Sequence, residues 1–210
     1  MKVIAINGSP RHDGNTRIAL DCMAEELQKE HISTEIIHVG KMLLHGCIGC
    51  RHCFTAENNL CIFTEDGLND IMLRMREADG LILGAPTYFG GIPGTMKCFL
   101  DRTFYASRAT PMFRNKVGAA VTTVRRAGGV DVYNQLNNYF NLSDMLIPPS
   151  QYWVIGYGRE KGEISQDSEG MQAIRRNAAA MAWQLKILDA TKDSIPLPRL
   201  EKRESMSFIR

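Results

Sequence analysis

The sequence has no apolar run approaching the roughly 20 residues of a membrane span, and no surplus of charge of either sign. Its 25 Lys and Arg stand against 23 Asp and Glu, and the net charge of +2 is spread along the chain without a basic stripe. Nucleic acid and acidic membrane surfaces are therefore not expected as partners. A signal-peptide plan is also missing, because an apolar strand starts within two residues of Met1, and the expected location is cytoplasmic. There the six cysteines are expected to be reduced, metal-bound or catalytic, not paired as disulfides. His31, His38 and His45 have no partner at metal-ligand spacing, so solvated or packed imidazoles are expected at each.

What is present is organised around the first sixteen residues. Lys2-Val-Ile-Ala-Ile6 is a short, β-branched apolar run suited to a strand buried on both faces. It leads into Asn7-Gly-Ser-Pro-Arg-His-Asp-Gly-Asn-Thr16, where Gly8 and Gly14 permit a tight turn and Ser9 and Thr16 offer hydroxyls. The helix that follows brings its positive end to the same place, which suits a dianionic phosphate. The loop has neither the Gly-x-x-x-x-Gly-Lys-Ser/Thr pattern of nucleoside triphosphatases nor a three-glycine dinucleotide fingerprint, so a mononucleotide phosphate is expected. In these residues the chain resembles the flavodoxin-like FMN proteins, whose phosphate loop commonly reads Gly-Ser-Pro-Arg followed by Gly-Asn-Thr.

Helical spacing of Ile18, Ala19, Cys22, Met23 and Leu27 predicts the first helix, with Asn15 or Thr16 as its cap and Cys22 as a buried, inert thiol. A second strand is expected over Ser33 to His38, and a further helix from about Thr64 or Asp66, with Leu68, Ile71, Met72 and Met75 on one face. Gly80 to Ala85 reads as a buried strand that ends in Pro86-Thr-Tyr-Phe-Gly90, and a helix carrying Met96, Phe99, Leu100, Thr103 and Phe104 follows, with Cys98 as a packing residue. Lys116 to Thr123 is the expected fourth strand, Val132 to Leu142 a helix, and Met145 to Ile155 the region of a fifth strand. Ser168 is placed to cap a last helix whose stripe is Met171, Ile174, Ala178, Met181, Leu185 and Leu188.

These elements predict an α/β fold: a flavodoxin-like, doubly wound, five-stranded parallel sheet of order 2-1-3-4-5 over residues 1–190. Residues 191–210 are polar, carry Pro196 and Pro198, and are expected to form an arm, either disordered or laid on a second subunit. The ligand is expected over the ends of strands one, three and four, among loops 7–16, 86–91 and 122–129. Ser9, Arg11, Asn15 and Thr16 would hold the phosphate. Pro86, Thr87, Tyr88, Phe89 and Gly90 would line the planar ring, and Thr122 and Thr123 would supply hydrogen bonds. The segment Pro-x-Tyr-Phe-Gly and the helix around Lys97, Phe99 and Asp101-Arg102 are close to the pattern of the same flavodoxin-like proteins.

Residues 40–66 interrupt the alternation of strand and helix with a connection much longer than usual. Within it, the cysteine-rich stretch 45–64 carries Cys47, Cys50, Cys53 and Cys61 in the pattern C-x2-C-x2-C-x7-C. Zinc is usually held by two separated pairs, whereas three of these cysteines crowd one turn. The close spacing is that by which bacterial ferredoxins wrap a 4Fe-4S cluster, and the long spacer gives Cys61 the reach to close it. Free or redox-active thiols, and zinc, remain the other readings. The whole pattern resembles the iron-sulfur flavoprotein family, a branch of the flavodoxin-like reductases. The turn Val124-Arg-Arg-Ala-Gly128 departs from it, with two arginines where relatives often place smaller residues.

The resemblance implies an FMN-dependent oxidoreductase that also carries a 4Fe-4S cluster and needs no acid, base or nucleophile of its own, since the transfer chemistry belongs to the cofactor. A ferredoxin-like donor and an acceptor such as a quinone, oxygen or peroxide are implied with it. An NAD(P)H-dependent FMN or quinone reductase without a cluster is the alternative enzyme, and a flavin- or iron-sensing module the alternative outside catalysis. A homodimer or homotetramer is expected, because Ile48, Phe54 and Phe63 in the insertion would leave a monomer with wet apolar surface.

Overall fold

A computed structural model describes residues 1–210 except 57, 59, 202, 203, 205, 207, 209 and 210. Five parallel strands form one sheet: β1 (Lys2–Asn7), β2 (Ser33–His38), β3 (Gly80–Pro86), β4 (Val117–Val124) and β5 (Ile155–Tyr157), in the order β2-β1-β3-β4-β5. The order reverses at β1 and β3, which opens a crevice at their carboxyl ends.

Alternation along the central strands feeds two cores. Val3, Ala5, Ile82, Val117, Ala119 and Val121 pack under α1 (Asn15–Lys29) and the last helix, whereas Ile4, Ile6, Leu81, Leu83 and Ala120 face the opposite layer. That layer comprises α3 (Leu68–Glu77), α4 (Gly94–Ala106) and α5 (Gly129–Asn141), while α2 (His52–Thr55) is a single turn inside the cysteine-rich insertion. Because both faces of β1, β3 and β4 are covered, their sequences read as continuous apolar runs with no polar face to betray orientation.

Three local expectations are corrected. Gly14, not Asn15 or Thr16, precedes α1, and no side chain caps that helix. The last helix, α6 (Ser168–Thr191), is capped by Asp167, whose carboxylate accepts from the Gly170 amide at 2.9 Å, so Ser168 is already helical. The fifth strand lies beyond the span expected for most of its length. Residues 145–154 run as an extended connection with one bridge, Val117 to Leu146, since Pro148-Pro149 cannot donate to the ladder.

The described part of residues 192–208 is exposed, with Arg114 donating to the Pro198 carbonyl. What was expected of the arm at 202, 203, 205, 207, 209 and 210 lies outside the described residues. No helix among the described residues is long and apolar enough to cross a membrane.

Candidate functional site

A cavity of about 200 Å³ opens at the switch point of the sheet. Its floor is the loop after β1, locked by short bonds from several sides. The Gly8 amide donates to the Gly84 carbonyl at 2.8 Å, the Ser9 amide to Asn7 Oδ1 at 3.0 Å, and the Arg11 amide to Ser9 Oγ at 3.1 Å. His38 at the end of β2 donates from Nε2 to the Ser9 carbonyl at 2.7 Å, a supporting role that its sequence context does not reveal. Gly40 passes so near that a Cβ there would overlap the Ser9 carbonyl. The first α-helical bond runs from the Ile18 amide to Gly14, so the amides of Asn15, Thr16 and Arg17 start the helix without backbone partners. With no side-chain cap competing for them, these amides and the helix dipole make an anion seat.

Of the eleven residues expected at the site, Ser9, Arg11, Asn15, Thr16, Pro86, Thr87, Tyr88 and Thr123 line this cavity. Three act on the protein itself. Asn15 donates to the Glu160 carbonyl and accepts from the Gly162 amide, each at 2.9 Å, which pins the loop after β5 beside the cavity. Thr16 and Thr123 share a 2.8 Å hydroxyl bond that joins α1 to β4. Thr122 does not reach the cavity, because strand alternation turns it to the other face, where its hydroxyl donates to the Ala85 carbonyl at 2.8 Å. The residues that sequence reasoning missed, Gly158 and Arg159 among them, come from the loop after β5, which could not be placed until β5 itself was. Arg125, from the unusual double-arginine turn, also lines the cavity.

Thr87 carries a buried hydroxyl with no hydrogen-bond partner at the cavity wall. An unpaired buried hydroxyl is costly, and among the described residues this one stands at the cavity wall. Beside it, Tyr88 and Gly91 exchange backbone bonds of 2.9 and 3.0 Å around Phe89 and Gly90, both at positive φ (50° and 76°). The left-handed pair makes a tight hairpin that lifts Phe89 wholly into solvent, its ring edge-on to Tyr88 at 5.7 Å.

The second constellation is the cysteine-rich insertion. Gly49 and Arg51 both take left-handed conformations (φ 67° and 61°) and wind the chain on either side of Cys50. The side chains of Cys47, Cys50, Cys53 and Cys61 line one small pocket, completed by Ile48, Ile62, Phe63 and Tyr105. Cys47 and Cys50 lie at its exposed rim and Cys53 is buried, which pushes the Cys53 thiol pKa up, with the neighbouring sulfurs adding to the effect. Among the described residues, no three His, Cys, Asp or Glu side chains are gathered tightly enough to hold a metal ion as they stand. Cys22 is buried on α1 and its thiol is likewise pushed up by desolvation, as expected of an inert packing residue. Phe63 differs from expectation. It is half-buried against His45 and Arg102, and the exposed apolar residues here are Ile48, Phe54 and Ile62.

A doubly wound sheet whose switch point carries an uncapped helix terminus, a hydroxyl-bearing turn and an unsatisfied polar wall defines a flavodoxin-like protein. The fold is shared with a WrbA-like flavodoxin from Agrobacterium tumefaciens, with a TM-score of 0.60 at 16% identity over 89% of this chain and 97% of that one. The family model for NADPH-dependent FMN reductase matches residues 1–160. An iron-sulfur flavoprotein of Methanocaldococcus jannaschii is 34% identical over 90% of this chain and 99% of its own length. A second, from Archaeoglobus fulgidus, is also 34% identical, over 92% and 98%. The chain belongs to the NADPH-dependent FMN reductase family, in its iron-sulfur flavoprotein branch, and is a flavin-dependent oxidoreductase with FMN as its cofactor.

Proposed function

We propose that the protein passes electrons between FMN in the switch-point cavity and a 4Fe-4S cluster held by Cys47, Cys50, Cys53 and Cys61. The observation that carries this reading is the convergence of four cysteine side chains from one insertion on a single pocket with mostly apolar walls. An all-thiolate donor set suits iron-sulfur chemistry, and ligation would draw the exposed rim of Cys47 and Cys50 in towards Cys53 and Cys61. When bound, FMN exchanges electrons in pairs or singly and the cluster singly, which suits the protein to join carriers of the two kinds.

In this reading the chain's own work is positioning. Ser9, Arg11, Thr16 and the α1 amides take the phosphate, with Arg11 matching its charge. Asn15 and Thr123 hold the walls, and Pro86, Thr87 and Tyr88 meet the ring, with the Thr87 hydroxyl given its missing partner there and the Phe89-Gly90 turn standing at the rim. Residues 1–190 form the flavin-binding unit and 191–210 an arm. Full exposure of Phe89 beside the cavity, together with Ile48, Phe54 and Ile62 on the insertion, supports a homodimer or homotetramer.

The deciding experiment combines an anaerobic absorption spectrum with iron and sulfide assays, then stopped-flow reduction by NADPH and by reduced ferredoxin. Stoichiometric iron and sulfide with ferredoxin-driven flavin reduction are expected. Rapid reduction by NADPH in protein free of iron would replace this reading with a simple FMN or quinone reductase, to which the family description itself lends support.

A further inference from the structure

Arg102 on α4 is only 1% exposed, and all three of its guanidinium nitrogens are engaged. Nε donates to Cys61 Sγ at 3.2 Å. Nη1 donates to the His45 carbonyl at 3.4 Å and is ion-paired with Asp66, while Nη2 donates to Asp66 Oδ1 and the Phe63 carbonyl, each at 3.3 Å. The guanidinium carbon also stands 5.0 Å from the centre of the Phe63 ring. Burial alone would lower the pKa of this cation, but the bonds it donates to Asp66 and Cys61 outweigh that effect and push it up.

Such an arrangement is more than the insertion needs for shape. A neutral thiol is a weak acceptor, and a fully buried guanidinium directs one of its donors at it nonetheless. Cys61 is fixed from a second side as well, because its amide donates to Asn69 Oδ1 at 2.9 Å and its carbonyl accepts from Asn69 Nδ2 at 2.8 Å. Of the four cysteines, Cys61 is thus held by side chains outside the insertion, in contrast to Cys47 and Cys50 at the rim.

We propose that Arg102 is a positioning residue for the cluster: it sets Cys61 Sγ as the pre-formed ligand and raises the cluster's reduction potential through its N–H···S bond. The inference rests on the cluster assignment above. Reduction adds negative charge to the cluster and its sulfurs, which an N–H donor at a ligand sulfur favours. Hydrogen bonds to sulfur and local charge are among the factors that set such potentials, and apolar surroundings strengthen both. Asp66 orients the fork, so that Nε is the nitrogen aimed at sulfur.

The test uses full-length protein, reconstituted anaerobically with FMN, iron and sulfide. Arg102→Gln is combined with Asp66→Asn, so that no buried carboxylate is left unpaired, and Arg102→Lys keeps a cation without the fork. Iron and sulfide per chain are measured first. The cluster potential is then followed by EPR-monitored titration, with the flavin potential in the same samples as an internal reference. The double variant is expected to take up iron more slowly than the parent and, once loaded, to show a lower cluster potential, Arg102→Lys a smaller fall in the same direction, and the flavin potential to stay in place. Should the double variant not fold, the direction of the shift in Arg102→Lys carries the test. Full iron with an unchanged cluster potential overturns the proposal and leaves the cluster assignment standing, as does an equal shift of both potentials. Unaltered protein that takes up no iron overturns the cluster assignment and this proposal with it.

Discussion

Two side chains at the switch-point cavity should make opposite demands on the empty and the FMN-loaded protein. Arg11 is exposed at the cavity mouth and makes only a 3.5 Å contact with the Arg159 carbonyl, so its removal should leave the fold untouched. Arg11→Ala should weaken FMN binding by about 1.5–3 kcal/mol, the range for a hydrogen bond to a charged group, as read by fluorescence titration. Unchanged affinity would remove Arg11 from the phosphate seat. Thr87 is the reverse case, because its hydroxyl is buried and unpaired. Replacement by the similarly shaped Val should stabilise the flavin-free protein by about 1 kcal/mol and weaken FMN binding by roughly 0.5–1.5 kcal/mol. A thermal melt of the apoprotein and a flavin titration check the two signs separately, and a Thr87→Val protein that binds FMN as tightly as before would show that the hydroxyl meets nothing in the complex. Thr87 was legible in the sequence as part of Pro86-Thr-Tyr-Phe-Gly90, but the role of Thr122 was not. With β4 buried on both faces, nothing in its composition says which threonine looks towards α1.

At the scale of elements, contiguous features were readable and features assembled across the chain were not. The phosphate loop, the central strands and the C-x2-C-x2-C run each sit within a short window, where turn chemistry and spacing decide. The loop at 158–162 joins the cavity through Asn15, about 145 positions away in sequence, and Arg102 reaches back to Asp66 across a packed helix. No periodicity records either. The contact of Gly40 with the phosphate loop is of the same kind, and Gly40→Ala should push the Ser9 carbonyl out of place. An overpacking cost of about 1–3 kcal/mol in a denaturant melt is expected, together with weaker FMN binding. A variant as stable as the parent would mean that the two loops part easily. The insertion has its own expected outcome. Cys50 lies between the two left-handed residues, and Cys50→Ala should cut iron content sharply while flavin content holds, since the FMN cavity and the cysteine pocket share no lining residue. Equal loss of both cofactors would show that the insertion supports the fold of the flavin site.

For the molecule as a whole, the apolar groups left in water are placed unevenly. Phe89 stands clear at the cavity rim and Ile48, Phe54 and Ile62 on the insertion, with further exposed apolar side chains on α6 (Trp183) and along the chain after it (Ile195, Leu197, Leu200), while the central strands are covered on both faces. Sedimentation at micromolar concentration should find two or four chains together, and a clean species of one chain's mass would remove that expectation. Arg102 carries one more consequence, for anyone who wishes to build a flavin enzyme without the cysteine-rich insertion. By bonding the carbonyls of His45 and Phe63 and the carboxylate of Asp66, one side chain clasps both ends of the excursion to α4. Excising residues 45–64 alone would leave Arg102 paired with Asp66 but strip its bonds to Cys61 and to the carbonyls of His45 and Phe63, a penalty beyond that of closing the shortened loop. A trimmed protein should be more stable when Arg102→Met and Asp66→Asn are made in the same step, so that neither charge is left without its partner.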